Sequence, residues 1–397
     1  MSIDFLKERG TPLDRQRMTW REMVREPISK LDNDAFTRVR IILMNGIEQH
    51  MNRFLHAFAR VRGDLQGPLA QIRRIEHHQQ TAVNWLLGAD HSPLETTIGF
   101  EQVAIEVTAA IAQAEPDPYL AQVHRFGLLE DFDHMYRFSA LMDRLEGKDA
   151  NNILQSYTDV LPGRPTMVEH RDPADDLRTP YDAATADPLS KLHAITILAG
   201  ENQTRDYYMT IGPMFADPLA RQLYAEIASI EEQHVTQYES IIDPNETWLE
   251  KWVLHEMCEV YNYYSCMSTE TDPRVKALWT QFLDYELGHL HFVMDLYRRI
   301  EKKDPEVLLP KKMPSPMPYT SQRAFVRKTL VDEVDYRAVG PKIGALPDTD
   351  ASLAYREDLH AHGVPSEQIA QGYRFVAGTE LVAKTNGGAG KGAEVRS

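Results

Sequence analysis

Cysteine is nearly absent from the chain: Cys258 and Cys266 are the only two among 397 residues. They sit eight positions apart in one helical stretch, so they project from different turns and do not bridge each other. With no Cys-x-x-Cys pair, thiolate-held iron and iron–sulfur clusters are excluded, and any metal falls to Glu, Asp and His. A Gly-x-x-x-x-Gly-Lys-Ser/Thr loop is also missing, which removes a P-loop nucleotide site. Positive charge is scarce as well. The formal net charge is -16 and no long basic run occurs, so neither nucleic acid nor an anionic membrane is an expected partner. No apolar run reaches the roughly 20 residues of a membrane span, and Met1 to Gly10 are charged rather than leader-like. Reduced thiols and the lack of a leader predict a soluble, cytoplasmic protein.

Alternating β-branched runs are few, whereas apolar residues at helical spacing fill almost every long segment, so the chain reads as all-α. Asp34, Ser92-Pro93, Asp117-Pro118, Asp187-Pro188, Asp217-Pro218, Thr247 and Asp272-Pro273 each have the form of a helix N-cap. With one further start near Gln66-Gly67-Pro68 they give eight helices. These fall into two sets of four, over 34–146 and 187–302, each large enough to bury its own core. An N-terminal arm (1–33) precedes them and a Pro- and Arg-rich linker (147–186) separates them. A C-terminal extension (303–397) follows, with short helices and a disordered tail from Lys384 to Ser397. A shift of 155 carries Asp117-Pro118 onto Asp272-Pro273, Ser92-x-x-Glu95 onto Thr247-x-x-Glu250 and Glu76 onto Glu231; a shift of 153 carries Glu48 onto Glu201. Such a register predicts a duplication.

A lone acid-x-x-His match carries little weight, since 59 acids and 15 histidines produce roughly two by chance. Position carries more. In the second set every helix places an acid in the middle of its apolar stripe: Glu201 among Ile197, Thr204 and Tyr208; Glu231 and His234 among Ile227, Ile230 and Tyr238; Glu256 between Val253 and Val260; Glu286 and His289 between Leu283 and Val293. If these helices pack together, four carboxylates meet in a core with no Lys or Arg on the stripes to pair them, at several kcal/mol each. Two divalent cations would neutralise them, and a mixed oxygen and nitrogen donor set suits iron or manganese. The bland alternative is carboxylates satisfied by Arg or by the hydroxyls of Tyr207, Tyr208, Tyr238 and Tyr285. In the first set Glu48, Glu76, Glu101, Asp131 and His134 hold matching places, but Gln79 stands where His234 corresponds, so that set reads as a weak or relic site. Glu357-x-x-His360 lies in a short charged segment and reads as a solvated face.

Glu201, Glu231-x-x-His234, Glu256 and Glu286-x-x-His289 resemble the ligand set of the ferritin-like di-iron carboxylate proteins, one Glu from each of two helices and Glu-x-x-His from two others. Glu259 resembles the additional carboxylate of rubrerythrin-type peroxidases. The resemblance implies tandem ferritin-like four-helix bundles and two iron ions, with manganese as the alternative. It implies a non-haem oxidoreductase that uses O2 or peroxide on an organic substrate, a rubrerythrin-like peroxidase or ferroxidase being the second reading and a non-catalytic metal-binding bundle the third. An external electron donor would be needed, and a homo-oligomer is compatible. One departure from ferritin and rubrerythrin is the short turn Ile242-Asp243-Pro244-Asn245-Glu246 where those proteins have a long crossover, which predicts up-down-up-down connectivity.

Overall fold

The computed structural model describes residues 3–376. Eight long helices dominate it: α1 (Ala35–Val61), α2 (Gln66–Asn84), α3 (Pro93–Ala114), α4 (Pro118–Glu146), α5 (Pro188–Ile211), α6 (Pro218–Ser240), α7 (Trp248–Thr269) and α8 (Pro273–Glu301). Their starts follow from local chemistry. Asp34, Asp117, Asp187, Asp217 and Asp272 each accept a hydrogen bond from first-turn backbone N–H groups, which otherwise have no partner within the helix. Ser92 with Glu95 and Thr247 with Glu250 form reciprocal capping boxes. The chain is therefore mostly helical, as the periodicity predicts. The sole β structure among the described residues is a small antiparallel hairpin, Arg337–Val339 with Lys342–Gly344. No helix of the described residues is long and apolar enough to cross a membrane. Cys258 and Cys266 are buried and free.

Consecutive helices pair as four hairpins, α1–α2, α3–α4, α5–α6 and α7–α8, and α1, α3, α5 and α7 pack on one another through the middle of the molecule. The way the hairpins associate differs from the expected two consecutive sets. Hydrogen bonds join α1–α2 to α7–α8, as Gln79 to Glu286 and Tyr263 to Glu48, and join α3–α4 to α5–α6, as His134 to Glu231 and Tyr208 to Glu101. The pairing is nested in chain order: the second hairpin pairs with the third and the first with the fourth. Helical periodicity tells each hairpin which stripe to bury but not which hairpin to bury it against. The long segment 147–186 lets α5–α6 return beside α3–α4, whereas the short turn after α6 requires only that α7 start nearby.

Segment 147–186 is not a spacer between domains. Arg164, Glu169, His170 and Arg171 within it are buried against α4 and α6. Asp133 accepts from the backbone N–H groups of Gly163 and Thr166, and Gln233 accepts from the N–H of Arg171, so the strap is laced to both helices. The C-terminal extension is equally engaged: Met313, Met317 and Tyr319 are buried, and helices Arg323–Glu333 and Pro365–Ala370 pack on α4. The expected tail, Lys384 to Ser397, lies outside the described residues.

Candidate metal centres

The seven residues Glu201, Glu231, His234, Glu256, Glu259, Glu286 and His289 do not share one site. The first three meet Glu101, Asp131 and His134 in an inner centre on α3–α6; the other four meet Glu48 and Glu76 in an outer centre on α1, α2, α7 and α8. The expected weak first site and strong second site are thus replaced by two centres, each assembled from one hairpin of either half. All twelve side chains are buried.

Each centre holds two overlapping groups of ligand atoms within 4.8 Å of one another. In the inner centre Asp131, Glu201, Glu231 and His234 form one group and Glu101, His134 and Glu231 the other, with Glu231 in both. In the outer centre Glu76, Glu256, Glu286 and His289 form one and Glu48, Glu76 and Glu259 the other, with Glu76 in both. A carboxylate common to two adjacent groups is what a pair of bridged cations needs.

The histidines are oriented alike. His234 Nδ1 lies 3.3 Å from Glu231, 3.4 Å from Asp131 and 3.6 Å from Glu201, while its Nε2 is 2.8 Å from Glu130 Oε2. His134 Nδ1 lies 3.1 Å from Glu231 and its Nε2 2.9 Å from Glu169 Oε2. His289 Nδ1 lies 2.9 Å from Glu76 and 3.1 Å from Glu286, and its Nε2 2.6 Å from Gln16 Oε1. A proton on Nε2 given to the outer acceptor leaves the Nδ1 lone pair facing the carboxylates, the tautomer that a metal ligand requires. Behind Glu130 stand Arg171 at 2.5 Å and Arg164 at 3.0 Å, which keep that acceptor ionised.

The donor set is short of positive charge. Among the described residues Glu48 Oε2, Glu76 Oε2, Glu101 Oε2, Asp131 Oδ2, Glu201 Oε2, Glu256 Oε2 and both oxygens of Glu259 are buried with no hydrogen-bond donor. Buried polar atoms are seldom left so. Burial, reinforced by neighbouring carboxylates, pushes Glu48, Glu201, Glu256 and Glu259 well above the usual carboxylate range, and burial likewise raises Glu101. Burial would raise Glu231 too, but His134 and His234 bring it down to about 2. Burial alone would depress the three imidazoles; Glu169, Glu201 and Glu286 foremost hold His134, His234 and His289 well above the ordinary histidine value. A buried set of carboxylates and imidazoles with so few donors and no Lys or Arg among them fits divalent ions.

The centres are near copies. Adding 55 to Glu201, Tyr208, Glu231 and His234 gives Glu256, Tyr263, Glu286 and His289, and adding 55 to Glu76 and Gln79 gives Asp131 and His134. The Tyr208 hydroxyl donates to Glu101 as the Tyr263 hydroxyl donates to Glu48. Of the tyrosines expected to satisfy carboxylates, Tyr208 does so here; Tyr207 donates to the Pro93 carbonyl at 3.0 Å instead. The copies are not exact: the shared carboxylate is Glu231 in the inner centre, whose counterpart is Glu286, but Glu76 in the outer, whose counterpart is Asp131, and the second ligand group also differs. The inner centre offers Glu101 and His134 there, whereas the outer offers Glu48 and Glu259, with Gln79 donating to Glu286 at 2.5 Å. The second outer position is therefore all carboxylate and suits a harder ion.

Gln16, Glu130 and Glu169 could not be read from apolar stripes, because Gln16 lies on the arm and Glu169 on the strap, and Glu130 adjoins a better candidate. The arm reaches His289 because Gly288 has no side chain: a Cβ there would lie 2.1 Å from the Thr11 carbonyl. Gln16 Nε2 donates to Thr11 at 2.7 Å and Tyr285 at 3.0 Å, which fixes its oxygen toward His289. Gln16→Leu is expected to weaken one outer ion by about 10- to 100-fold and leave the inner pair unchanged, as read by competition with a calibrated chelator; equal affinities would remove Gln16 from the site.

A small cavity of about 20 Å³, lined by Leu43, Val103, Val107, Ile197 and Glu201, reaches the inner centre and has room for one small molecule. A larger pocket of about 500 Å³ is lined by His50, Phe54, Trp248 and His255 among others. Compared with known proteins, the chain matches no family model, no curated protein and no solved structure.

Proposed function

We propose that the chain consists of two ferritin-like four-helix bundles, one nested in the other in chain order, each binding a pair of iron ions with manganese as the alternative metal, and that it is a non-haem oxidoreductase acting with O2 or peroxide on an organic substrate. One observation carries this reading: in both centres two groups of buried Glu, Asp and His ligand atoms share a single carboxylate, Glu231 or Glu76. Two bound redox-active ions would supply electrons for O–O cleavage and hold the oxidising equivalents it leaves, which no side chain does alone.

The chain's own residues do the rest. Glu130, Glu169 and Gln16 fix the imidazoles, and apolar walls around Glu201 exclude bulk water while admitting a small molecule. Tyr208 holds a proton on its oxygen against Glu101, one residue layer from the inner donors. The pocket beside His255 is the place for an organic substrate, and an external donor must supply electrons, since no thiolate-held iron is available. Glu259 in the outer centre favours peroxidase or ferroxidase activity there as the second reading.

The test is to load the protein anaerobically with Fe2+ and add O2 or peroxide. Expected are about two bound irons per centre and oxidant consumption that falls in Glu231→Ala and in Glu76→Ala and is abolished only in the double variant. Bound iron with no oxidant consumption in wild type would leave a non-catalytic metal protein, and no bound iron or manganese would defeat the reading altogether.

A further inference from the structure

His170, Glu226 and His360 meet on the wall of a solvent-opening pocket of about 280 Å³ and share no residue with either candidate dinuclear centre. Their ligand atoms lie within 4.8 Å of one another. His170 is 0% exposed, and neither of its ring nitrogens has a hydrogen-bond partner among the described residues. A wholly buried imidazole with two idle nitrogens is unusual, and a ligand is the ordinary remedy. Its Nε2 lies 3.9 Å from Glu226 Oε1, and its ring centroid 5.3 Å from that of His360.

The other two donors are braced from behind. Ser366 gives Glu226 two hydrogen bonds, from its backbone N–H to Oε2 at 2.7 Å and from its hydroxyl to Oε1 at 2.9 Å. His360 Nε2 lies 3.1 Å from the Met167 carbonyl, so it carries the proton and leaves Nδ1 as a free lone pair. Each donor comes from a different element: the strap, α6 and the C-terminal extension. The segment around His360 is therefore no simple solvated face; the fold carries it back onto the strap, where Arg356 donates to the His170 carbonyl at 2.6 Å.

We propose that His170, Glu226 and His360 form a mononuclear site for a divalent first-row transition ion. Two imidazoles and one carboxylate exclude the hard ions Ca2+ and Mg2+ as natural occupants, and the pocket leaves coordination positions open to water or a small ligand. The site sits beside the inner centre, since His170 follows Glu169, the acceptor of His134, on the chain.

Cobalt(II) titration of the full chain tests this, with bound equivalents and the visible ligand-field bands as readouts. Wild type is expected to bind one equivalent more than His360→Ala, and Glu231→Ala is expected to keep that equivalent. The half-exposed His360 can be removed without opening the core, and the isosteric Glu226→Gln provides a second variant with the same expected loss. Equal cobalt binding by wild type and both variants would overturn the site. So would loss of the same equivalent in Glu231→Ala, which would assign it to the inner centre. Empty dinuclear centres with this equivalent intact would leave the site standing and defeat only the dinuclear reading.

Discussion

Glu231→Ala is expected to bind two metal ions fewer than the wild-type chain, and Glu76→Ala to lose a different two. Each removes the one carboxylate common to both ligand groups of its centre. Removing one partner from a buried charged cluster costs about 3–5 kcal/mol, or on the order of a 100- to 4,000-fold loss of affinity. The two centres share no ligand, so the losses should be additive and the double variant should retain none of the four. Metal analysis after gel filtration reads the result directly. A single site confined to residues 187–302 makes a different forecast: Glu76→Ala would then be silent.

Stripping the ions should give the second large effect, a fall in unfolding temperature whose size depends on pH. A ligand present at about a thousand times its Kd stabilises by roughly 4 kcal/mol per site, so losing four ions removes much of the stability of an ordinary domain. In the stripped protein Glu48, Glu101, Glu201, Glu256 and Glu259 have folded pKa values raised above their unfolded ones. Their stabilising contribution is fully present below the unfolded carboxylate pKa of about 4.3 and is lost as pH climbs through the raised values. His134, His234 and His289 act in the same direction, from an unfolded value of about 6.5 upward. Glu231, lowered to about 2, runs the other way but is one group against several. The stripped protein should therefore lose stability between pH 5 and roughly 8, while the loaded protein gains it, because metal competes with protons for the same ligands. Parallel slopes in thermal melts of the two forms would show that the ions do not bind at these residues.

Helix starts were legible in the sequence because an N-cap is a local bargain between one side chain and the next turn, and Asp34, Asp117, Asp187, Asp217 and Asp272 all cap as their neighbours require. The buried acids were legible for a similar reason: Glu201, Glu231, Glu256 and Glu286 interrupt apolar stripes at one height. Which acids meet was not, because that depends on how hairpins return on one another. The shift of 155 relates α3–α4 to α7–α8, and it suggested that each half of the chain closes on itself. The same shift is equally satisfied when each half contributes one hairpin to each centre, as the contacts of His289 with Glu76 and of His234 with Asp131 require. Gln16 and Glu169 stayed hidden because a residue that orients a histidine from an irregular segment leaves no periodic trace.

The nested pairing also sets an order of assembly on the ribosome. The last residue of the inner centre is His234, so α3 to α6 can close on one another while the rest is still being made. The α1–α2 hairpin, with Glu48 and Glu76, is the first to emerge but must await α8, which ends at Glu301. At about 5–20 residues per second that delay is roughly 10 to 40 s. Throughout it an apolar stripe bearing two acids has no partner, so the oldest part of the nascent chain is also the part most exposed to chaperones and proteases.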